Sequence, residues 1–237
     1  MRPSARASPS LHLGRPHRRC EVDSSYDAIT VHSINMAQGG FGSLTAPITV
    51  KATVADGMQL YTQQGSIVAN ITILGAGQGR PADGGLRTLD MHGGLGLVDA
   101  TVTLQGDHPN PDVLQYRIFV VNSNAPASIR IPSIPADANV ELNVINMDGR
   151  AELTLDSAWE GNFELYSDTT PPIVNVRPDA EDPQHKQPSR PRRVTFHNES
   201  ESVRGTAVWG EERPNLQGSV WVGPWPGTPS GEIVLNI

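Results

Sequence analysis

The feature that most constrains this chain is a repeated strand–turn–strand unit. An alternating apolar and polar run leads into a tight turn rich in Gly, Asn, Asp or Pro, and a second alternating run follows. Alternation at a period of two residues, carried by Val, Ile and Thr, is typical of a strand with one buried face. No segment shows a helical apolar stripe, so the sequence predicts an all-β protein. The clearest second runs are 28–31, 47–50, 70–73, 101–104, 128–131, 151–155, 172–176, 206–209 and 232–237.

The spacing of these runs favours a stacked arrangement. Ile29 and Ile48 are 19 residues apart, and Ile48 and Ile71 are 23 residues apart. A period of about 20 to 50 residues indicates a solenoid or array. We therefore expect a parallel β-solenoid-like stack of strand–turn–strand units. The alternative is a β-sandwich of hairpins, because two strands per unit would also give the shorter strand spacing of a sandwich.

Composition divides the chain into four segments. Residues 1–23 are predicted to be a disordered basic tail, since the first 20 residues contain five Arg and no acid. Residues 24–177 form the predicted β-repeat body. Residues 178–193 are rich in Pro, Gln and charge, which predicts a disordered loop or linker. Residues 194–237 resume the strand pattern and are expected to supply closing strands of the same β domain.

Charge and hydropathy exclude several classes of partner. Residues 21–176 carry six basic and 17 acidic side chains, so the main body is strongly acidic. Phosphate binding needs clustered Lys and Arg, which argues against nucleic acid. The sequence has no run of about 20 apolar residues and no apolar leader, so we expect no membrane span and no signal peptide. For that reason a cytoplasmic location is the default expectation, and the single cysteine, Cys20, gives no support to an oxidising compartment.

Motifs for catalysis, cofactors and metals are missing from the sequence. The Gly-rich segment after Leu74 imitates a dinucleotide fingerprint, but Arg80 stands where the third Gly is required and Pro81 follows. The histidines of the body are scattered singly, without the close spacing that metal ligands show. No Gly-x-Ser-x-Gly elbow occurs. We therefore predict a protein that is not an enzyme and has neither a metal nor a cofactor.

Tryptophans near the C-terminus are the best candidates for a binding surface. Trp209 and Trp221 lie in alternating runs and are predicted to be core or sheet-face residues. Trp225 lies in an irregular Gly-Pro-Trp-Pro-Gly turn and is predicted to be exposed. With Glu211 and Glu212 nearby, Trp225 could stack on a sugar or on a protein partner. The alternative is that Trp225 is a packed anchor of its loop.

Two segments resemble a known family. Residues 156–165 read Asp-Ser-Ala-Trp-Glu-Gly-Asn-Phe-Glu-Leu, and residues 203–210 and 218–222 form a closing pair of runs. Together they resemble an uncharacterised family found mainly in mushroom-type fungi, the basidiomycetes, and they are similar in style to adhesin domains. The resemblance covers 115–237 best. It implies an all-β, adhesin-like domain of unknown activity, with no catalytic residue to carry over.

These observations lead to two functional hypotheses. The first is a non-catalytic, adhesin-like β scaffold or interaction protein, because regular strands account for most of the chain. The second is a carbohydrate-binding or carbohydrate-active protein that uses Trp225, Glu211 and Glu212. The partner is an unidentified protein or glycan in either case.

Overall fold

The computed structural model describes residues 17–75, 85–106, 114–136, 138–178, 180, 182–183, 190–210 and 218–237. Those residues form sixteen strands in one sheet and contain no helix, which confirms the all-β prediction. The strands are β1 His17–Ser24, β2 Ile29–Ser43, β3 Ile48–Thr62, β4 Ile67–Leu74, β5 Arg87–Gly93, β6 Val98–Gln105, β7 Gln115–Asn122, β8 Ala127–Ser133, β9 Asn139–Asn146, β10 Ala151–Leu155, β11 Gly161–Tyr166, β12 Ile173–Asn175, β13 Arg192–Asn198, β14 Ser202–Trp209, β15 Gly218–Gly223 and β16 Ile233–Asn236.

Two parallel ladders run through this sheet and share the long strands β2 and β3. Ladder A contains residues 29–36 of β2 and 48–54 of β3, and continues through β4, β6, β8, β10, β16 and β12. Ladder B contains β1, residues 36–43 of β2 and 57–62 of β3, and continues through β5, β7, β9, β15 and β11. β14 and β13 extend ladder B as its antiparallel members.

Apart from the turn between β13 and β14, each tight turn joins a strand of ladder B to a strand of ladder A. We call two strands that are joined in this way a rung. β9 and β10 are connected by the turn at Asp148–Gly149 but pair with other strands, so this turn does not close a hairpin. The sandwich alternative requires turn-connected strands to pair antiparallel. In the described residues only β13 and β14 do so, and the rest of the sheet outside the β11–β14 contact is parallel.

The period-two alternation produces the core. Inward-facing Val, Ile, Leu and Ala side chains of both ladders form one continuous buried cluster. Residues at equivalent positions are Ile29, Ile48, Ile67, Val98 and Ala127, so the first two steps are both 19 residues and the next two are 31 and 29. The sequence-based match of Ile48 with Ile71 is therefore wrong by four residues, because Ile71 faces Ala52 within the same ladder.

A buried polar residue ends most ladder B strands and caps the turn that follows. The hydroxyls of Ser43 and Thr62 accept hydrogen bonds from the N–H groups of Ala46 and Gly65, at 3.0 and 2.9 Å. Asn122 takes the same position and donates instead to the carbonyl oxygens of its turn. The third turn residue is small because each turn stacks closely on the one before. A methyl group on Gly65, for example, would overlap the carbonyl of Ala46.

The C-terminal rung breaks the chain order. β15 lies between β9 and β11 in ladder B, and β16 lies between β10 and β12 in ladder A. The last twenty residues are thus inserted between two rungs that are consecutive in sequence. All four strands from residue 192 onward belong to the same sheet as the body.

Two segments predicted to be disordered contain ordered residues. Within 1–23, residues 17–23 belong to β1, which pairs in parallel with β2. Sequence analysis missed this strand because Arg19, Glu21 and Asp23 occupy its outward positions, and charged side chains are typical of edge strands. Within 178–193, Asp182 is only 5 % exposed, and Arg192 begins β13. Residues 1–16 and 184–189 lie outside the described residues.

Candidate functional site

Ladder B presents an outward face on which aromatic side chains follow one another across the strands. Tyr61, His92 and Phe119 lie on β3, β5 and β7, while Trp221 and Tyr166 lie on β15 and β11. We call these five residues the aromatic band. Their strands are neighbours in ladder B except that β9 lies between β7 and β15. At about 4.8 Å per strand, the band extends over roughly 24 Å.

Trp221 lies near one end of the band, beside Tyr166. Its neighbours Val220 and Val222 point into the core, so alternation turns the indole outward, where it is half-buried. The ring lies over Gly223, since a Cβ added there would be 3.0 Å from the indole carbons and 3.4 Å from Tyr166 Cβ. A glycine at this position therefore leaves the space that the indole occupies next to Tyr166.

The other end of the band is built by His92, Phe119 and Tyr61. His92 and Phe119 pack edge to face with their ring centroids 5.7 Å apart. This arrangement is favoured by the charge distribution of aromatic rings. Tyr61 is paired with His92 in the strand register and is 50 % exposed. The rings are carried by strands rather than loops, so their positions are fixed by the sheet.

Polar side chains lie between and beside the aromatic rings on the same outward face. Gln59 Nε2 donates to Asp90 Oδ2 at 3.5 Å, and Asn143 Nδ2 donates to Glu141 Oε1 at 3.0 Å. In the register of the sheet, Asn143 lies on one side of Trp221 and Glu164 on the other. Amide and carboxylate groups are therefore placed directly next to the indole.

The cations nearest the band are paired. Arg117 contacts Glu141 at 2.8 Å, and Arg204 contacts Glu164 at 2.8 Å. Each pair is solvent-exposed and cancels its own charge. A ligand on the band would therefore encounter hydrogen-bonding groups with little net positive charge.

Tyr166 is held by a neighbouring carboxylate. Its hydroxyl donates to Glu201 Oε2 at 3.2 Å, and this bond together with the negative charge of Glu201 raises the pKa of the phenol. The phenol therefore stays protonated, and the ring keeps its orientation at the end of the band.

Of the three residues predicted as a site, the structure describes only Trp225. Trp225 lies in the turn between β15 and β16 and is 50 % exposed, with its carbonyl accepting from Thr228. Glu211 and Glu212 lie outside the described residues. Trp209 is buried, and its indole N–H donates to the carbonyl of Ser157 at 2.8 Å. Period-two alternation of Val220, Trp221 and Val222 was the signal that could have identified Trp221 as the outward tryptophan.

The described part of the chain contains no group of three or more His, Cys, Asp and Glu side chains that could hold a metal ion. Hydrogen bonds from the backbone N–H and the hydroxyl of Ser230 lower the pKa of Asp168, which is the opposite of what a general acid needs. Across the same ranges, no helix is long and apolar enough to cross a membrane.

Comparison with known proteins does not supply a function. No protein-family model, no curated protein and no solved structure matches this chain.

Proposed function

We propose that this protein is a non-catalytic, adhesin-like β-solenoid whose aromatic band binds a neutral polysaccharide. The observation that carries the proposal is the outward band of aromatic side chains that includes Trp221. The solenoid interpretation is supported by the parallel pairing within both ladders and by the hydrogen bonds between stacked turns. One such bond joins the N–H of Gln64 to the carbonyl of Leu44 at 3.1 Å.

Sugar recognition combines two kinds of contact, and the band offers both. The apolar C–H face of a pyranose ring stacks on an aromatic ring, and the equatorial hydroxyls form hydrogen bonds with planar amides and carboxylates. Trp221 provides the ring, while Asn143 and Glu164 lie on either side of it in the strand register. A sugar ring lying flat on the sheet requires this combination of an aromatic ring and neighbouring hydrogen-bonding groups.

The shape of the band favours an extended chain over a single sugar. The five aromatic residues cross successive strands instead of lining an enclosed cavity. A linear polysaccharide lying across the strands would contact Trp221 and Tyr166 at one end and Tyr61 at the other. Paired charges at Arg117 and Arg204 favour a neutral chain, because neither guanidinium is left to attract an anion.

A depletion assay tests the proposal. The full chain is mixed with insoluble cellulose, chitin or β-1,3-glucan, and the protein remaining in solution is measured. We expect one of these to retain the protein, and Trp221→Ala to weaken retention roughly tenfold, which corresponds to about 1.4 kcal/mol of lost stacking. Trp225→Ala is the matched control, since it removes an exposed tryptophan from a turn outside the band.

Two outcomes would contradict the proposal. The first is that none of these polysaccharides retains the wild-type protein. The second is that Trp221→Ala and Trp225→Ala have equal effects while both variants keep the wild-type melting temperature. The second result would show that binding depends on general surface hydrophobicity and not on the band.

A further inference from the structure

A second surface lies on the opposite ladder. The outward face of ladder A contains an open depression of about 360 Å³ between β2 and β8. Lys51 and His32 border one side, and Arg130 borders the other. Asn70 and Thr101 lie between them on β4 and β6, in the same row of the register. Short polar side chains between long cationic ones account for the depression.

A β-bulge contributes to the shape of this surface. The register between β2 and β3 shifts between Val31 and Ile34, so that His32 and Ser33 both face the position of Lys51. An extra residue in one strand bends that strand and increases its local twist. The bulge therefore lies at the His32 side of the depression, at the edge of the parallel stack.

The charge of the depression is unusual for this molecule. Arg130 pairs with Asp99 at 2.6 Å, and these two side chains cancel each other. Within the described part of the chain, no carboxylate lies within 4 Å of the Lys51 ammonium group. Because the main body carries a net charge of −11, from six basic and 17 acidic residues in 21–176, an unpaired cation here is a local exception.

Neutral groups complete the site. The side chains of Thr49 and Thr101 provide hydroxyls, Asn70 provides an amide, and Val68, 42 % exposed, provides an apolar patch. A ligand that matches all of these has one negative charge, several hydroxyls and a small apolar face. A phosphate dianion would fit poorly, since one unpaired ammonium group balances only one charge.

We propose that this depression binds the carboxylate-bearing sugar of an acidic polysaccharide, a uronate, through Lys51. The carboxylate accepts hydrogen bonds from the Lys51 ammonium group, and the ring hydroxyls contact Asn70 and Thr101. This site is separate from the aromatic band, because the two lie on different ladders. The molecule then has one face for neutral sugars and another for acidic sugars.

Lysine chemistry provides a direct test. The chain has two lysines, Lys51 and Lys186, so acylation by an amine-reactive ester can be followed at each by mass spectrometry. The probe is an oligogalacturonate, and its fully methyl-esterified form is the uncharged control. We expect saturating oligogalacturonate to slow acylation of Lys51 at least fivefold and to leave Lys186 unchanged. Equal rates with the acid and the ester, or equal slowing at both lysines, would overturn the proposal.

Binding measurements with variants give an independent test. Lys51→Gln is expected to weaken oligogalacturonate binding about fivefold to tenfold, and the effect should shrink as salt is added. Arg150→Gln is the matched control, since Arg150 is an exposed cation that pairs with Glu152 and Glu232 away from the depression. Equal weakening by both substitutions would show nonspecific charge attraction and contradict the proposal.

Two further arms separate this site from its alternatives. Trp221→Ala should leave oligogalacturonate binding unchanged, so failure of the aromatic band and failure of this site are distinguishable. A sulfated or phosphorylated oligosaccharide that protects Lys51 when oligogalacturonate does not would also overturn the proposal, because it would show that a different anion is recognised.

Discussion

The rungs up to β10 and the rungs after it are assembled differently. From β2 to β10 each new rung stacks on the one that precedes it in the sequence. After β10 the chain forms β11 and β12, and then the antiparallel pair β13 and β14. Its last residues form β15 and β16, which lie between earlier strands. The difference teaches that the local repeat determines the form of a rung but not its place in the stack.

The inserted rung carries the features of both neighbours. Its turn residue Gly231 approaches the carbonyl of Gly149, as Gly65 approaches Ala46 in the body. On its other side, the hydroxyl of Ser230 donates to Asp168 at 2.9 Å and lies 3.0 Å from the hydroxyl of Ser167. Insertion also places Trp221 between Asn143 and Glu164, the arrangement on which the proposed sugar binding depends.

Removing the inserted rung should produce the largest difference in amide protection between the rungs up to β10 and the rungs after it. Deleting residues 218–237 removes β15, the strand that pairs with both β9 and β11. It also removes the buried side chains of Val222 and Leu235. We expect β11–β14 to lose amide protection while β3–β8 keep theirs, as measured by hydrogen exchange. Unchanged protection in β11 would mean that β9 and β11 can pair directly, and would contradict this account.

Matched core substitutions should have a smaller effect than the deletion. They should still distinguish the rungs up to β10 from the rungs after it. Leu104→Ala in β6 and Leu235→Ala in β16 both truncate a fully buried leucine. Each is expected to lower the free energy of unfolding by about 2–5 kcal/mol in denaturant titrations. Increased exchange should be confined to the C-terminal rungs for Leu235→Ala. Loss of protection throughout the sheet in both variants would show that the regions unfold as one unit.

The turn caps should matter more than outward-facing amides. Asn122 donates to the carbonyl of Pro126 at 3.2 Å and to that of Ala125, and it is fully buried. Asn122→Ala removes the amide that donates to the Ala125 carbonyl, while the Pro126 carbonyl still accepts from the N–H of Val98 at 3.0 Å, and should cost about 1–3 kcal/mol of stability. Asn70→Ala, at an exposed position of β4, should change stability by less than about 0.5 kcal/mol. Similar melting temperatures for the two variants would contradict the capping role.

Acid should weaken the attachment of the inserted rung slightly. The lowered pKa of Asp168 means that its carboxylate stabilises the fold above the unfolded value of about 3.9. That stabilisation is lost as the pH falls through the folded-state pKa. Asp168→Asn should therefore lower the melting temperature at pH 7 but not at pH 2. An equal difference at both pH values would show that the carboxylate charge is not involved.

Sequence alternation predicted the all-β class because one buried face leaves a period-two pattern wherever a strand forms. It could not predict β1, whose outward charges hide the pattern, nor the position of β15, which depends on contacts between residues that are far apart in sequence. The same limit applies to the site. The irregular turn of Trp225 favours that residue in the sequence, whereas Trp221 joins the band only through the neighbours that insertion provides.

Disulfide trapping tests the order β9–β15–β11 most directly. Glu141, Ser219 and Asn162 occupy one outward row on these strands. Neighbouring strands are about 4.8 Å apart, within the range of a disulfide, and second neighbours are roughly twice as far, which is beyond it. In a background in which Cys20 is replaced by Ser, the pair Glu141→Cys and Ser219→Cys should cross-link under mild oxidation. The pair Glu141→Cys and Asn162→Cys should stay reduced, and its efficient cross-linking would contradict insertion of the C-terminal rung.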